Sequence, residues 1–510
     1  MPVAAPQSGQ VGIGEAAGPR RPRLLAALLL LAYLLTAGLE LGTPPVTTKR
    51  EDRCHDIVRN MLHRGDWVVP WRMGGPWINK PPLFYWAAAT TATVSGGYSL
   101  WALRLPPYLA GAALMLLVLV WGRRLGGWAV GLLAAALLLP MKGLQDMARE
   151  GSAEMLLAAL CGWALYAYDS GMRRGRPGRL GVVAALLALG ILTKATVALM
   201  IVTLPIVVDL VWRRRLGEAF TARRVTALLL ALTAGSAWYL WILSTVPGAW
   251  DRLFSELVLP VGVEMPDHTQ THYGPPTEHI GSMLRVTLPV LLLWPLVIWR
   301  ALRTRLWRDD PGWRFVAVVL LTVFVAFSLI PKKRTDYMLP LLPFAALLLA
   351  ESTRACMALA PGAWRRILRV LGVVTLLGGG LGAAVVALWY GEALGGGVPA
   401  LVTVGLLGGG LLAAALVWAW KGASGRFAAA ALAAWLLGLL TYQASMEVHK
   451  RFHMAGIPEA APGYDAGQWV GLHERYPDLL EGFEPEERWV ANLQEQPGAE
   501  IDLDEAHDDD

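Results

Sequence analysis

Two adjacent carboxylates, Glu51 and Asp52, and a lysine set in Asn79-Lys80-Pro81-Pro82 fall in one polar stretch, residues 49–86, between apolar runs. The stretch is far longer than a link between packed elements needs to be, and it sets acids, cations and aromatic residues beside a membrane anchor. Its carboxylates suit either a helix cap or proton transfer. Lys80, stiffened by two prolines, is either a snorkelling anchor or a fixed positive point for a lipid phosphate. Cys54, Ile57, Val58, Met61 and Leu62 recur at helical spacing, with Asp52, His55, Asp56, Arg59, Asn60 and His63 opposite them. That pattern predicts a helix lying in the membrane interface, with Glu51 and Asp52 at its N-terminal end, where the helix dipole favours anions.

Further along, Asp146, Glu150 and Glu154 recur every four residues and share one helical face if that helix starts early. Three stacked acids need a cation among them, either Arg149 or a divalent metal. Glu154 falls one residue inside an apolar span, where a carboxylate is costly and points to function. The loop over 247–280 carries Glu264, Asp267, His268, His272, Glu278 and His279. His268 and His272 have a spacing suited to one metal on a helix, but Pro266, Pro275 and Pro276 argue against a continuous helix there. In the turn over 331–336, Lys332, Lys333 and Arg334 break the positive-inside trend. A lipid phosphate or pyrophosphate is the simplest cause, and a charged end solvated by headgroups is the plain one.

The elements that must hold these groups are membrane helices. The 510 residues are 55% hydrophobic and 16% charged, with a mean hydropathy of +0.45. The apolar blocks predict about thirteen spans, among them 24–42, 103–122, 126–141, 153–168, 180–196 and 197–212. Arg and Lys gather in alternate turns, which sets the N-terminus inside and the 49–86 loop, the 247–280 loop and the acidic tail outside. The first apolar run is long for a signal peptide and lacks a small-x-small end, so it reads as an anchor. Cys54, Cys161 and Cys356 are scattered and imply neither a disulfide framework nor a thiol nucleophile. No phosphate loop or dinucleotide fingerprint is present, the Gly378–Gly380 and Gly408–Gly410 runs suit close helix packing, and no nucleic-acid partner is implied.

The run from Glu51 through Asn60-Met61-Leu62, Gly65-Asp66-Trp67, Pro70 and Lys80-Pro81-Pro82 to Tyr85-Trp86 resembles the first outer loop of family 39 glycosyltransferases. These are the bacterial relatives of protein O-mannosyltransferases and include the aminoarabinose transferases. Arg149 followed by Glu154, Leu192-Thr193-Lys194, His272-Tyr273-Gly274-Pro275 and KRTDYMLPLLP over 333–343 resemble further family elements, in order. The chain departs from the family in two places. The usual Asp-Glu pair is here Glu51-Asp52 behind a basic pair, and the second acid, usually Asp, is Glu154.

The resemblance implies an all-α polytopic membrane protein of the GT-C fold. Residues 1–352 would form the catalytic module, with outer loops 43–102 and 247–280; 353–445 would form further transmembrane helices, and 446–510 an acidic tail. It implies transfer of a sugar from a polyprenyl-phosphate donor to a lipid, glycan or protein acceptor, on the outer face of a bacterial inner membrane. Glu51 or Asp52 would be the base or acceptor-orienting acid, and Glu154 a second acid. Lys80, Arg149, Lys194, Lys333, Arg334 and Tyr337 would hold the donor phosphate. His272 and Tyr85 would line the pocket, and a divalent metal would fall to Glu154 and His272. The rival class is a transporter or flippase of lipid-linked sugars, which calls for midplane charges and internal repeats; here the charges collect at one surface and no repeat is visible.

Overall fold

The computed structural model describes residues 20–362, apart from 39–40, 44–45, 47, 73–74, 174, 177, 251–252, 254–273, 304–309, 332 and 360–361. The spans expected over 370–445, the tail, Lys332, His268 and His272 lie outside the described residues. The helices are α1 (Arg20–Gly38), α2 (Lys49–Arg64), α3 (Leu83–Val94), α4 (Leu100–Leu138), α5 (Lys142–Ala148), α6 (Ala153–Arg173), α7 (Arg179–Trp212), α8 (Ala222–Thr245), α9 (Glu278–Val286), α10 (Trp294–Arg303), α11 (Pro311–Leu329) and α12 (Leu342–Leu359). Between α2 and α3, Trp71–Arg72 (β1) pairs antiparallel with Gly75–Pro76 (β2).

Two of the long helices are folded back on themselves. In α4 the break is at Gly126 and Gly127, where Gly127 has φ 78° and ψ −176°, a region open to glycine and strained for other residues. A Cβ on Gly122 would come 2.8 Å from the Cα of Gly131, although residues nine apart in one straight helix are about 13.5 Å apart. In α7 the break is at Lys194, with φ −157° and ψ 88°; a Cβ on Gly190 would lie 3.1 Å from Ala198 Cβ, against about 12 Å in a straight helix. The spans expected over 103–122 and 126–141, and over 180–196 and 197–212, are the arms of these two hairpins. Six helical segments among the described residues are long and apolar enough to cross a membrane, or seven if α9 and Val290–Arg303, bent by 110°, count as one. The chain is therefore multi-pass.

The hairpins sort the polar segments to two ends of the bundle. The Lys194 tip, the starts of α4 and α6 and the turn after α11 share one end with the first loop. The Gly126–Gly127 turn, the end of α6 and the start of α8 share the other. Between them the core is continuous, centred on fully buried Trp121, which packs edge-on to Tyr166 and Phe344 and at a tilt to Phe315.

The first loop folds onto this bundle. Thr48 caps α2 by accepting the N–H of Glu51 at 3.1 Å, and Gly65, with φ +67°, ends it. Cys54, Ile57, Val58 and Met61 are buried as the spacing predicts, but against Phe84, Tyr85, Ala88, Ala89 and Leu103. The apolar face of the helix is thus covered by α3 and the start of α4. The reason is that α3 offers an equally apolar face, and each aliphatic side chain buried there gains about 1.5–3 kcal/mol.

Candidate functional site

Glu51 and Asp52, adjacent in sequence, have separate environments. Glu51 is 3% exposed. Arg104, from the first turn of α4, donates to both its oxygens, Nε to Oε1 at 2.6 Å and Nη2 to Oε2 at 3.0 Å, and the Gly151 N–H adds a third bond at 2.7 Å. A Cβ on Gly151 would sit 2.6 Å from Leu103 Cγ and 3.1 Å from Glu51 Oε1, so only glycine lets that backbone come so close. Arg104 also donates to the Leu41 carbonyl at 3.1 Å. Glu51 therefore ties α2, α4 and the link before α6 together. Asp52, 7% exposed, faces Arg72 of β1, 3.8 Å from Oδ2, and Asp56 one turn on lies 3.5 Å from the same guanidinium and 3.3 Å from His55 Nδ1.

The cation that gathers the other acids is Arg50. Its Nε and Nη2 donate to Glu150 at 2.6 and 3.1 Å, while Nη1 lies 2.7 Å from Asp336 and 3.5 Å from Glu154. Thr48 Oγ1 donates to Glu150 at 3.2 Å. Burial pushes the Glu150 carboxyl above its usual range, with Arg50 pulling the other way, and the acids around it hold the Arg50 guanidinium charged despite its own burial. From the α7 hairpin tip, Lys194 Nζ meets both oxygens of Glu154 at 2.7 and 2.8 Å and stands 5.9 Å from the Tyr337 ring. Tyr337 is stacked on Phe327 at 5.0 Å. Arg334 donates to Asp336 at 3.1 Å. Three cations, Arg50, Lys194 and Arg334, thus meet three carboxylates, Glu150, Glu154 and Asp336, drawn from four separate stretches of chain at one end of the bundle.

Several expectations are redrawn by this geometry. Asp146, Glu150 and Glu154 do not share a helix, because α5 ends at Ala148 and α6 starts at Ala153. Asp146 pairs with Lys142, and the cation among Glu150 and Glu154 is Arg50. Arg149 Nη1 reaches the Thr36 carbonyl at 3.5 Å. Lys333, 3% exposed, donates to the carbonyls of Ser328 and Ile330 at 2.7 and 2.5 Å and so caps the end of α11. Tyr85 is buried in the α2–α3 core, where burial pushes its phenol well above the usual range; burial does the same to the Cys54 thiol. Lys80 is half-buried in the bend before α3.

Sequence reading passed over Arg50, Arg104 and Asp336. Arg104 had a signal, a charge within the apolar run LWALRLPPYL. Arg50 was hidden as half of a basic pair, and Asp336 as the end of a turn read for its cations. As for a metal, no group of three His, Cys, Asp or Glu side chains among the described residues is arranged to hold one. Both Glu154 oxygens accept from the Lys194 ammonium, and His272, the other residue expected to hold a metal, lies outside the described residues.

Residues 79–241 match the family model Dolichyl-phosphate-mannose-protein mannosyltransferase. The undecaprenyl phosphate-alpha-4-amino-4-deoxy-L-arabinose arabinosyl transferase 1 of Pseudomonas fluorescens is 26% identical over 376 residues, which are 72% of this chain and 63% of that protein. The enzyme of that name from Pseudomonas paraeruginosa is 29% identical over 337 residues, 63% of this chain and 58% of its own. ArnT from Cupriavidus metallidurans, in a crystal structure bound to undecaprenyl phosphate, superposes with a TM-score of 0.68 at 18% identity, covering 88% of this chain and 82% of that one. The architecture is the GT-C glycosyltransferase fold. Within that class the sequence is similar to the aminoarabinose transferases, and the chain spans about three-fifths of the length of the curated relatives it matches.

Proposed function

We propose that the protein is a glycosyltransferase of the outer face of a bacterial inner membrane, moving a sugar from a polyprenyl-phosphate donor to a lipid, glycan or protein acceptor. The observation that carries this reading is the ionic cluster of Arg50, Lys194 and Arg334 with Glu150, Glu154 and Asp336, set at the end of the bundle where the first loop folds. The relatives named for undecaprenyl phosphate-linked aminoarabinose support the donor class. The N-terminus is then cytoplasmic and the first loop extracytoplasmic, in keeping with the basic turns at the opposite end.

Transfer from a lipid phosphate needs positive charge where the phosphate leaves and a carboxylate beside the acceptor. Lys194 is the central phosphate cation, because a hairpin tip gives it a fixed position and Tyr337 lines its flank; Lys80, Arg149 and Arg334 complete the clamp. Since the cluster is balanced in charge, an incoming phosphate competes with Glu154 for Lys194, and a carboxylate displaced in this way regains basicity. Asp52 is the acid assigned to the acceptor. Glu51, held by three short bonds, positions α2 rather than taking a proton. His272, which lies outside the described residues, is assigned to the pocket by its His-x-x-Pro element alone, and no step is routed through a metal.

The test is release of free polyprenyl phosphate from a panel of labelled polyprenyl-phosphate sugars by the purified protein in lipid. Turnover that falls in Asp52→Asn and Lys194→Ala, with both variants folded, supports the reading. Tight donor binding without turnover, unchanged by either substitution, would move the assignment to a carrier of lipid-linked sugars.

A further inference from the structure

At the end of the bundle opposite the ionic cluster, the last turns of α6 and α7 and the first turn of α11 enclose a cavity of about 480 Å³. Tyr168, Asp209, Arg213, Arg215, Arg314 and Phe315 are on its wall. Glu154 and Asp169 are fifteen residues apart on α6, as are Lys194 and Asp209 on α7, so about 22 Å of helix separates the two sites. We propose that this cavity is a second ligand site, one that binds a phosphate anion, supplied either by the headgroup of a membrane phospholipid or by soluble phosphate.

Three observations carry the proposal. The first is charge. Arg213 Nη1 and Arg314 Nε each lie 3.3 Å from a different oxygen of Asp209. Arg215 and Arg224 share Glu218 at 2.5 and 2.9 Å, and Arg124 lies 3.8 Å from Asp169. On the cavity wall itself Arg213, Arg215 and Arg314 outnumber Asp169 and Asp209, an excess of one positive charge among the described residues, which matches a phosphodiester. The second is geometry. The Asp209 contacts are longer than the roughly 2.7–2.9 Å of tight charge-assisted bonds, and one carboxylate cannot occupy the donors of two guanidinium forks. The third is an unsatisfied donor. Tyr168 is 3% exposed and lines the cavity, and its buried hydroxyl has no hydrogen-bond partner among the described residues. The buried Nη1 of Arg224, behind Met172, has none either. Buried donors without acceptors are rare and call for a missing partner. A purely structural network would pair each guanidinium and close the space; a phosphate oxygen supplies the acceptors, and basic pockets between membrane helices are a recognised setting for lipid headgroups.

The experiment uses the full-length protein in a neutral detergent and follows its thermal transition during titration with short-chain phosphatidylglycerol, with inorganic phosphate, and with a neutral diacylglycerol lipid of the same chains. Phosphatidylglycerol is expected to raise the transition saturably, and the neutral lipid is not. Arg314→Gln should weaken the apparent affinity about 10-fold or more, and Tyr168→Phe, which keeps the ring in place, about 3-fold or more. Arg303→Gln, off the cavity wall, should change nothing. If inorganic phosphate reproduces the shift at similar concentrations, the anion site stands and its source is soluble. A shift equal for the neutral lipid, or one unaltered in both Arg314→Gln and Tyr168→Phe, overturns the proposal.

Discussion

Replacing Glu51 by Gln separates a structural carboxylate from a chemical one. The carboxylate accepts two charge-assisted bonds from Arg104, at 2.6 and 3.0 Å, and one from the Gly151 N–H at 2.7 Å. Glutamine keeps one acceptor oxygen and turns the other into an amide donor, which then faces a donor. Both Arg104 and Glu51 are nearly inaccessible, with side chains 3% and 4% exposed, so water cannot repair the mismatch. Leaving the Arg104 charge buried and half-paired costs about 3–5 kcal/mol. The same range is expected for Arg104→Ala, which also strips the Leu41 carbonyl of its donor. Replacing both residues with Met should recover most of the loss, because no buried charge is left unpaired. The assay is the thermal transition of the purified proteins in detergent, read from intrinsic tryptophan fluorescence, with polyprenyl phosphate release measured at a temperature where every variant stays folded. The single variants should melt well below the parent and keep measurable turnover. A Glu51→Gln protein with an unchanged transition and no turnover would refute the reasoning and return Glu51 to the reacting centre.

Lys194→Ala leaves Glu154, among the described residues, with Arg50 at 3.5 Å, and kcat/KM should fall about 100-fold or more, as when one fixed electrostatic donor is lost; Lys194→Arg should recover only part, because a planar fork cannot occupy the position of an ammonium. Gly127→Ala forces a Cβ onto backbone at φ 78° and ψ −176°, which should cost about 1–3 kcal/mol, seen as a lower melting transition with kcat unchanged at temperatures below it. Chelation of divalent ions should leave turnover intact, since the Glu154 carboxylate is held by Lys194; loss of activity restored by a specific metal would overturn that assignment.

The membrane class was legible because apolar blocks and alternating basic turns are local properties of a sequence. The hairpin in α7 was legible too, since the apolar run over 180–212 is too long for one crossing and reads as two spans. Glu154 was singled out as a charge inside an apolar segment, Lys80 by the two prolines that stiffen it, and Lys194 by the resemblance of Leu192-Thr193-Lys194 to a family element. What the sequence hid was pairing. Nothing local to Glu51 says that Arg104, fifty-three residues later, occupies both its oxygens, and nothing local to Arg50 says that it gathers Glu150, Glu154 and Asp336. Regular spacing misled where it ran across Gly151 and Ser152, because an acid every four residues shares a face only if the helix is unbroken. What covers α2 was hidden for a related reason: an amphipathic pattern states that one face must be covered and does not state by what.

The order in which the cluster's residues leave the ribosome follows from their spread along the chain. Arg50 comes first, Glu150 and Glu154 about a hundred residues later, Lys194 forty after that, and Arg334 with Asp336 last. At about 5–20 residues per second, roughly 15–60 s pass between the first and the last. The interval need not leave a bare charge in the bilayer. Once Lys194 has emerged, two cations face two acids, and Arg334 and Asp336 then arrive as a neutral pair. A biosynthetic intermediate halted after α8 would thus already hold a balanced site, and membrane insertion of the first half need not await the second.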